Sequence, residues 1–162
     1  EMWLKRSATS TNAYDVAFSQ GISGSDGQLL HIGFSSDDKF VFNFFGEDYD
    51  LKVPIVTDAN WHHWACTYDN TDRTKKIYRD GVLIGQNIST SAFTGTGNSR
   101  IGANAYFGDA YNGSIDELRI WTKTLSQGEI QHGLNCEISA ADGLAAAYHF
   151  NQGIAFGNNS SD

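Results

Sequence analysis

The sequence predicts an all-β protein, a two-sheet antiparallel jelly-roll β-sandwich with one short helix. Three observations carry this. Ten short apolar or alternating runs follow one another along the chain, and Gly, Asn, Asp and Ser separate them, with 17 Gly against a single Pro. A single segment, near residues 126–133, carries helix-start chemistry. Short strands with turns this frequent suit a sandwich or a barrel.

The runs are EMWLK (1–5), YDVAFSQ (14–20), LLHIGFS (29–35), KFVFNFF (39–45) and LKVPIV (51–56), then HHWACTYD (62–69) and KKIYRDG (75–81). Within YRDGVLIG, Asp80 and Gly81 can take the positive φ angles of a two-residue turn, so this stretch is a hairpin. RIGANAYF (100–107), SIDELRIW (114–121) and LAAAYHF (144–150) complete the set. In LSQGEIQHGL, Ser126 stands three residues before Glu129, the spacing of a capping box, and Leu125 and Ile130 form a staple across the first turn. Gly128 and Gly133 keep this helix short.

At 162 residues, with 40% hydrophobic and 13% aromatic content, the chain suits one domain with a substantial core. Its boundaries are expected at 1–153, with a polar, Gly/Asn-rich tail at 154–162 that is a frayed end or the start of a further strand. Opening on Glu1, the sequence reads as a piece of a longer protein. A net charge of −8 disfavours nucleic acid and anionic membrane surfaces, and no apolar run is long enough for a membrane span. Cys66 and Cys136 are expected as small buried thiols rather than a bridge.

The run YNGSIDELRIW (111–121) sets two acids side by side. In a regular strand Asp116 shares a face with Leu118 and Ile120, while Glu117 shares the other with Arg119 and Trp121. Adjacent carboxylates then cannot grip one atom. Asp116 is expected in a structural role, around a stabilising cation or a set of amides, and Glu117 with Arg119 as a surface ladder pair.

Read in order, NWHHWACTYD, KKIYRDGVLIGQ, RIGANAYFGDAYNGSIDELRIWTKTLSQGEI and GLAAAYHFNQG resemble the laminin-G-like, pentraxin-like branch of the concanavalin A-like lectin/glucanase superfamily. The resemblance runs to about residue 153 and implies the jelly roll, short of a terminal strand of the full domain. It makes Trp61-His62-His63 the lead into a core strand, with Trp61, Trp64 and Trp121 as core or sheet-face rings. Glycan hydrolases of this fold carry Glu-x-Asp-x-Glu on one strand face, which this sequence lacks, so no catalytic residue is expected and the chain reads as non-enzymatic.

Binding asks for less: a groove, a few oriented polar groups and an aromatic face. The expected ligand rim is Asp26, Asn104, Tyr106, Asp109 and Tyr111, with the face of Glu117 and Arg119 as the fallback. Relatives carry a calcium loop with Asp-Asn where this chain has Asp26-Gly27, and a second acidic loop where it has the shorter ANAYFGDAYNG. The resemblance thus makes Ca²⁺ the cofactor to test, at Asp26 and Asp109 or at Asp116. The expected function is a non-catalytic carbohydrate-binding or adhesion module of a larger secreted or cell-surface protein. Its partner would be a glycan or cell-surface glycoconjugate. The alternatives are a protein-interaction domain of the same fold and, third, a glycan hydrolase or lyase.

Overall fold

Alternation of large apolar and polar side chains makes each run bury one face, and two such faces pressed together form the protein. The computed structural model describes residues 1–7, 14–22, 27–44, 51–55, 58–105 and 108–151. Its strands are β1 (Met2–Arg6), β2 (Asp15–Gly21), β3 (Leu29–Phe34), β4 (Lys39–Phe44), β5 (Leu51–Ile55), β6 (His62–Asp69), β7 (Thr74–Arg79), β8 (Val82–Ile88), β9 (Ser99–Ile101), β10 (Gly113–Asp116), β11 (Leu118–Trp121) and β12 (Leu144–Tyr148), with helix α1 (Gln127–Gly133) before the last. One sheet runs β10-β1-β6-β7-β8 and the facing sheet β5-β4-β3-β2-β9, while β11 and β12 form a two-stranded ladder. All ladders are antiparallel. The jelly-roll sandwich with a single short helix is the fold of the described residues.

Between the sheets lies a layer of rings. Phe40 and Trp64 stack at 3.8 Å between centroids, and Phe34 meets both edge-on at 5.2 and 5.8 Å. Phe42, Phe44, Tyr68 and Phe93 continue the layer. Arg6, buried, holds Asp15 at 2.8 Å and Asp38 at 3.0 Å and lies 4.3 Å over the Phe34 ring. This ties β1 to the facing sheet.

The hairpin turn has Asp80 at φ 51° and Gly81 at φ 75°, as a two-residue turn requires. Helix α1 opens on the capping box: the Ser126 N–H donates to Glu129 at 2.8 Å and the Glu129 N–H to Ser126 Oγ at 3.3 Å. The bond from the Ser126 amide, with Lys123 and the Ser126 hydroxyl, holds the Glu129 carboxyl down at about 2. The helix covers the outer face of the first sheet through Leu125 and Ile130 on Ala65 and Tyr78. Gln127 and Gln131 donate to the Gly81 carbonyl at 3.0 Å and so dock the helix on the hairpin turn.

The chain departs from the ten-run pattern at two places. RIGANAYF contributes only Arg100 and Ile101 to a strand, β9, because Gly102 at φ 76° turns the chain away. SIDELRIW splits into β10 and β11 at Glu117, which sits at φ 47°. Phe40→Ala should lower stability by about 3–5 kcal/mol in chemical denaturation, since it removes a stacked ring from the centre of this layer.

Candidate functional site

The break at Glu117 builds the most site-like groove among the described residues. Trp3 is paired with Asp116, and two positions along, Glu1 and Arg119 exchange both backbone hydrogen bonds at 2.8 Å. Only Met2 lies between on β1, whereas Glu117 and Leu118 lie between on the opposite chain. The extra residue is a β-bulge, with Glu117 in the left-handed region. Alternation is reset there. Leu118 turns into the core, and Asp116 and Glu117 both line one groove on the outer face. This corrects the expectation that Asp116 shares a face with Leu118 and Ile120.

That groove, of about 420 Å³, is walled by Trp3, Trp61, Asp116, Glu117, Asn135 and Glu137, together with Leu134 and Cys136. Trp3 is fixed, its indole N–H donating to the Leu134 carbonyl at 3.2 Å and its ring meeting His63 edge-on. Trp61 stands 41% exposed, with its ring available to solvent. At one end His149 Nδ1 lies 2.9 and 3.0 Å from the two Glu117 oxygens, and Asn151 donates to Glu137 at 3.0 Å. The ligand atoms of Glu117, Glu137 and His149 lie within 4.8 Å of one another. The sequence pattern missed Trp3, Asn135, Glu137 and His149. Of these only Trp3, a lone tryptophan near the start of the chain, carried any signal in the sequence.

The expected rim assembles only in part. Asp26 and Tyr106 lie outside the described residues. Asn104 is 8% exposed; its amide donates to Asp109 at 2.8 Å and its carbonyl oxygen accepts the Gly108 N–H at 2.9 Å. These side chains shape their own loop. The Tyr111 ring packs on the core, stacked 6.4 Å from Phe34, and burial pushes its phenol upward. It is a packing ring with a hydroxyl that is buried and without a hydrogen-bond partner.

For calcium, Asp26 of the expected Asp26 and Asp109 site lies outside the described residues, and Asp116 is the separate alternative position. Asp109 answers to Asn104, while Asp116 accepts the Glu117 N–H at 2.9 Å on another part of the surface. Ca²⁺ asks for 6–8 oxygens. The one converging group among the described residues, Glu117, Glu137 and His149, offers two carboxylates and an imidazole instead.

Arg119 departs furthest from expectation. It is not the surface partner of Glu117: it is 1% exposed, donates to the Gly133 and Cys136 carbonyls at 3.1 and 3.3 Å, and lies 3.4 Å from the Glu1 carboxylate. His63 is fully buried beside it, and burial lowers its pKa against the pull of the Glu1 carboxylate at 3.4 Å. His62 is clasped between Asp58 at 3.0 Å and Asp80 at 2.7 Å, at the hairpin. Both cysteines are free. Cys66 is half-buried and burial pushes its thiol up to about 12, while Cys136, expected to be buried, is exposed.

The model of the concanavalin A-like lectin/glucanases superfamily matches residues 1–131. The chain belongs to this superfamily. It is 24% identical over 158 residues to human neuronal pentraxin-1, a match covering 91% of this chain and 35% of that protein. It thus spans about a third of the length of that curated relative. Among solved structures it is similar to the CBM40 domain of Ruminococcus gnavus IT-sialidase, with a TM-score of 0.66, 18% identity and coverage of 81% of this chain and 78% of that one. That domain has also been solved bound to alpha2,3 sialyllactose. A heptameric SAP-like pentraxin from Limulus polyphemus gives a TM-score of 0.55 at 16% identity, covering 83% and 68% of the two chains. At these identities the likeness is one of fold.

Two outcomes follow from the placement of side chains. Tyr111→Phe should leave stability unchanged or raise it by up to about 1 kcal/mol, because it removes a buried, unpaired hydroxyl and keeps the ring. A loss of more than that in a denaturant titration would mean the hydroxyl has a partner. At pH 8 a thiol held near 12 is protonated, so a disulfide reagent should modify Cys136 readily and Cys66 only on unfolding.

Proposed function

We propose that the chain is a non-catalytic glycan-binding module and that its ligand lies in the groove between Trp3 and Trp61. The observation that carries this is the exposed Trp61 indole standing in one groove with Trp3, Asp116, Glu117, Asn135 and Glu137. A flat ring receives the apolar face of a sugar, and oriented carboxylates and an amide receive its hydroxyls. The fold shared with a domain solved with a sialylated sugar supports the class of ligand. The groove's own charge points to neutral sugars, since three carboxylates on a chain of net charge −8 repel a carboxylated one.

Extracellular or surface display in a longer protein belongs to this reading. No helix among the described residues is long and apolar enough to cross a membrane. Calcium is no requirement of the groove, and a Ca²⁺ bridging Asp26 and Asp109 would act at the other loops. A second reading, protein interaction, is favoured by edge strand β8, where Val82, Leu83 and Ile88 are exposed. A long apolar edge invites pairing.

A glycan array with and without chelator separates these readings. Neutral glycans should bind and sialylated ones should not. Trp61→Ala should weaken binding at least tenfold, on the scale of one stacking ring, with the melting temperature unchanged because the ring is exposed. Binding that survives Trp61→Ala would move the site elsewhere, and binding lost in chelator would return it to a cation-bearing loop.

A further inference from the structure

Two carboxylates and an imidazole converge at one end of the groove. Glu117, Glu137 and His149 each bring a ligand atom within 4.8 Å of the other two. They come from three separate stretches: the bulge between β10 and β11, the segment between α1 and β12, and the residue just after β12.

Each of the three is held by a neighbour outside the trio. The bulge fixes Glu117, whose N–H donates to the Asp116 carboxylate at 2.9 Å. Glu137 Oε2 accepts the Asn151 amide at 3.0 Å, which leaves Oε1 for another partner. His149 Nε2 lies 3.3 Å from Ser139 Oγ. A ring with its proton on Nε2 donates there and presents the Nδ1 lone pair to the carboxylates, as outer partners orient metal-binding imidazoles. Nδ1 stands 2.9 and 3.0 Å from the two Glu117 oxygens.

An ion pair between His149 and Glu117 does not balance this cluster. A protonated imidazole carries one positive charge, yet the carboxylates of Glu117 and Glu137 both converge on it and Asp116 lines the same groove. No Lys or Arg is among the groove's walls. Carboxylates this close repel, and a divalent cation between them offsets both.

We infer that Glu117, Glu137 and His149 form a Zn²⁺ site with three protein ligands and an open fourth position. The donor set selects the metal: imidazole suits zinc and its first-row neighbours, whereas Ca²⁺ and Mg²⁺ take oxygen ligands and more of them. Zn²⁺ has no geometric preference from its d electrons, so it accepts ligands from three unrelated segments. Bonds of about 2.0–2.2 Å at tetrahedral angles set ligand atoms about 3.4 Å apart. The separation of Nδ1 from Glu117 therefore opens by about half an ångström on binding, and the exposed Glu137 side chain closes the third side. The ion ties the bulge, the segment after the helix and the end of β12 together. It stands apart from the glycan reading, since a sugar stacked on Trp61 needs no cation and this site needs no sugar.

The test titrates the chelator-treated protein with Zn²⁺ near neutral pH by calorimetry and repeats thermal melts with and without the ion. One equivalent should bind and raise the melting temperature, because the ligands converge only in the folded chain. Excess Ca²⁺ should not displace it. His149→Gln and Glu137→Gln should each weaken Zn²⁺ by at least about tenfold and abolish the rise. His62→Gln, at the other imidazole set between two carboxylates, should bind Zn²⁺ as before. Glu137 is exposed and outside every strand, so its variant keeps the fold, which the metal-free melt checks. Failure to bind one equivalent would overturn the inference, as would displacement by Ca²⁺ or an affinity unchanged in His149→Gln and Glu137→Gln.

Discussion

The groove between Trp3 and Trp61 depends on one inserted residue. Without Glu117 in the left-handed region, the chain from Gly113 to Trp121 would be one regular strand, and Asp116 would point with Leu118 at the core. The bulge lets the same chain pair with β1 in two registers. On one side of it Asp116 opposes Trp3, and on the other Arg119 opposes Glu1. A left-handed non-glycine residue costs on the order of 1–3 kcal/mol. Here it is held by ladders on both sides, by the Asp116 carboxylate accepting the Glu117 N–H, and by the His149 ring on the Glu117 carboxylate.

The same reset carries Arg119 beneath helix α1. Its guanidinium binds the carbonyls of Gly133 and Cys136 at the end of that helix, where they have no intrahelical donor. Helix, bulge and β1 are therefore one assembly, since Trp3 also donates to Leu134 in the same segment. Replacing Arg119 would remove the cation beside the buried Glu1 carboxylate and a donor from each of those carbonyls, which is the costly way to break such a cluster. The groove's rear wall, Leu134 to Glu137, is positioned by these bonds rather than by a strand.

Features set by local chemistry were legible in the sequence. The Asp80-Gly81 turn follows from two residues that tolerate positive φ, and α1 from Ser126 and Glu129 three apart. The alternating Phe and Trp of β4 and β6 announce the ring layer. What failed is what a period of two cannot express. A bulge at Glu117 has no glycine to mark it, so a period of two puts Asp116 on the wrong face, while Arg119 does share the face of Trp121 and is buried there by the segment of helix α1. Tyr111 looks like a loop ring in the sequence, and only the tertiary position of Phe34 makes it a core ring. The groove joins residues from the start, middle and end of the chain, and such a union has no local signature.

Charge gives the groove its own character within a widely used fold. The fold alone hosts many ligands, so the likeness to a domain solved with sialyllactose leaves the choice of sugar to the side chains, and at 18% identity few of these are shared. Asp116, Glu117 and Glu137 line one small groove, and the carboxylates of Glu117 and Glu137 come within 4.8 Å of each other, inside the ~8 Å screening length of physiological salt. Among the groove's own walls no Lys or Arg stands opposite them. A sugar carboxylate entering would meet like charge at short range, and a neutral sugar would meet hydrogen-bond acceptors. The Trp61 ring adds an attraction indifferent to charge. Under the proposed glycan reading, affinity would rest on the ring and the exclusion of anionic sugars on the acids, so the two could be altered separately.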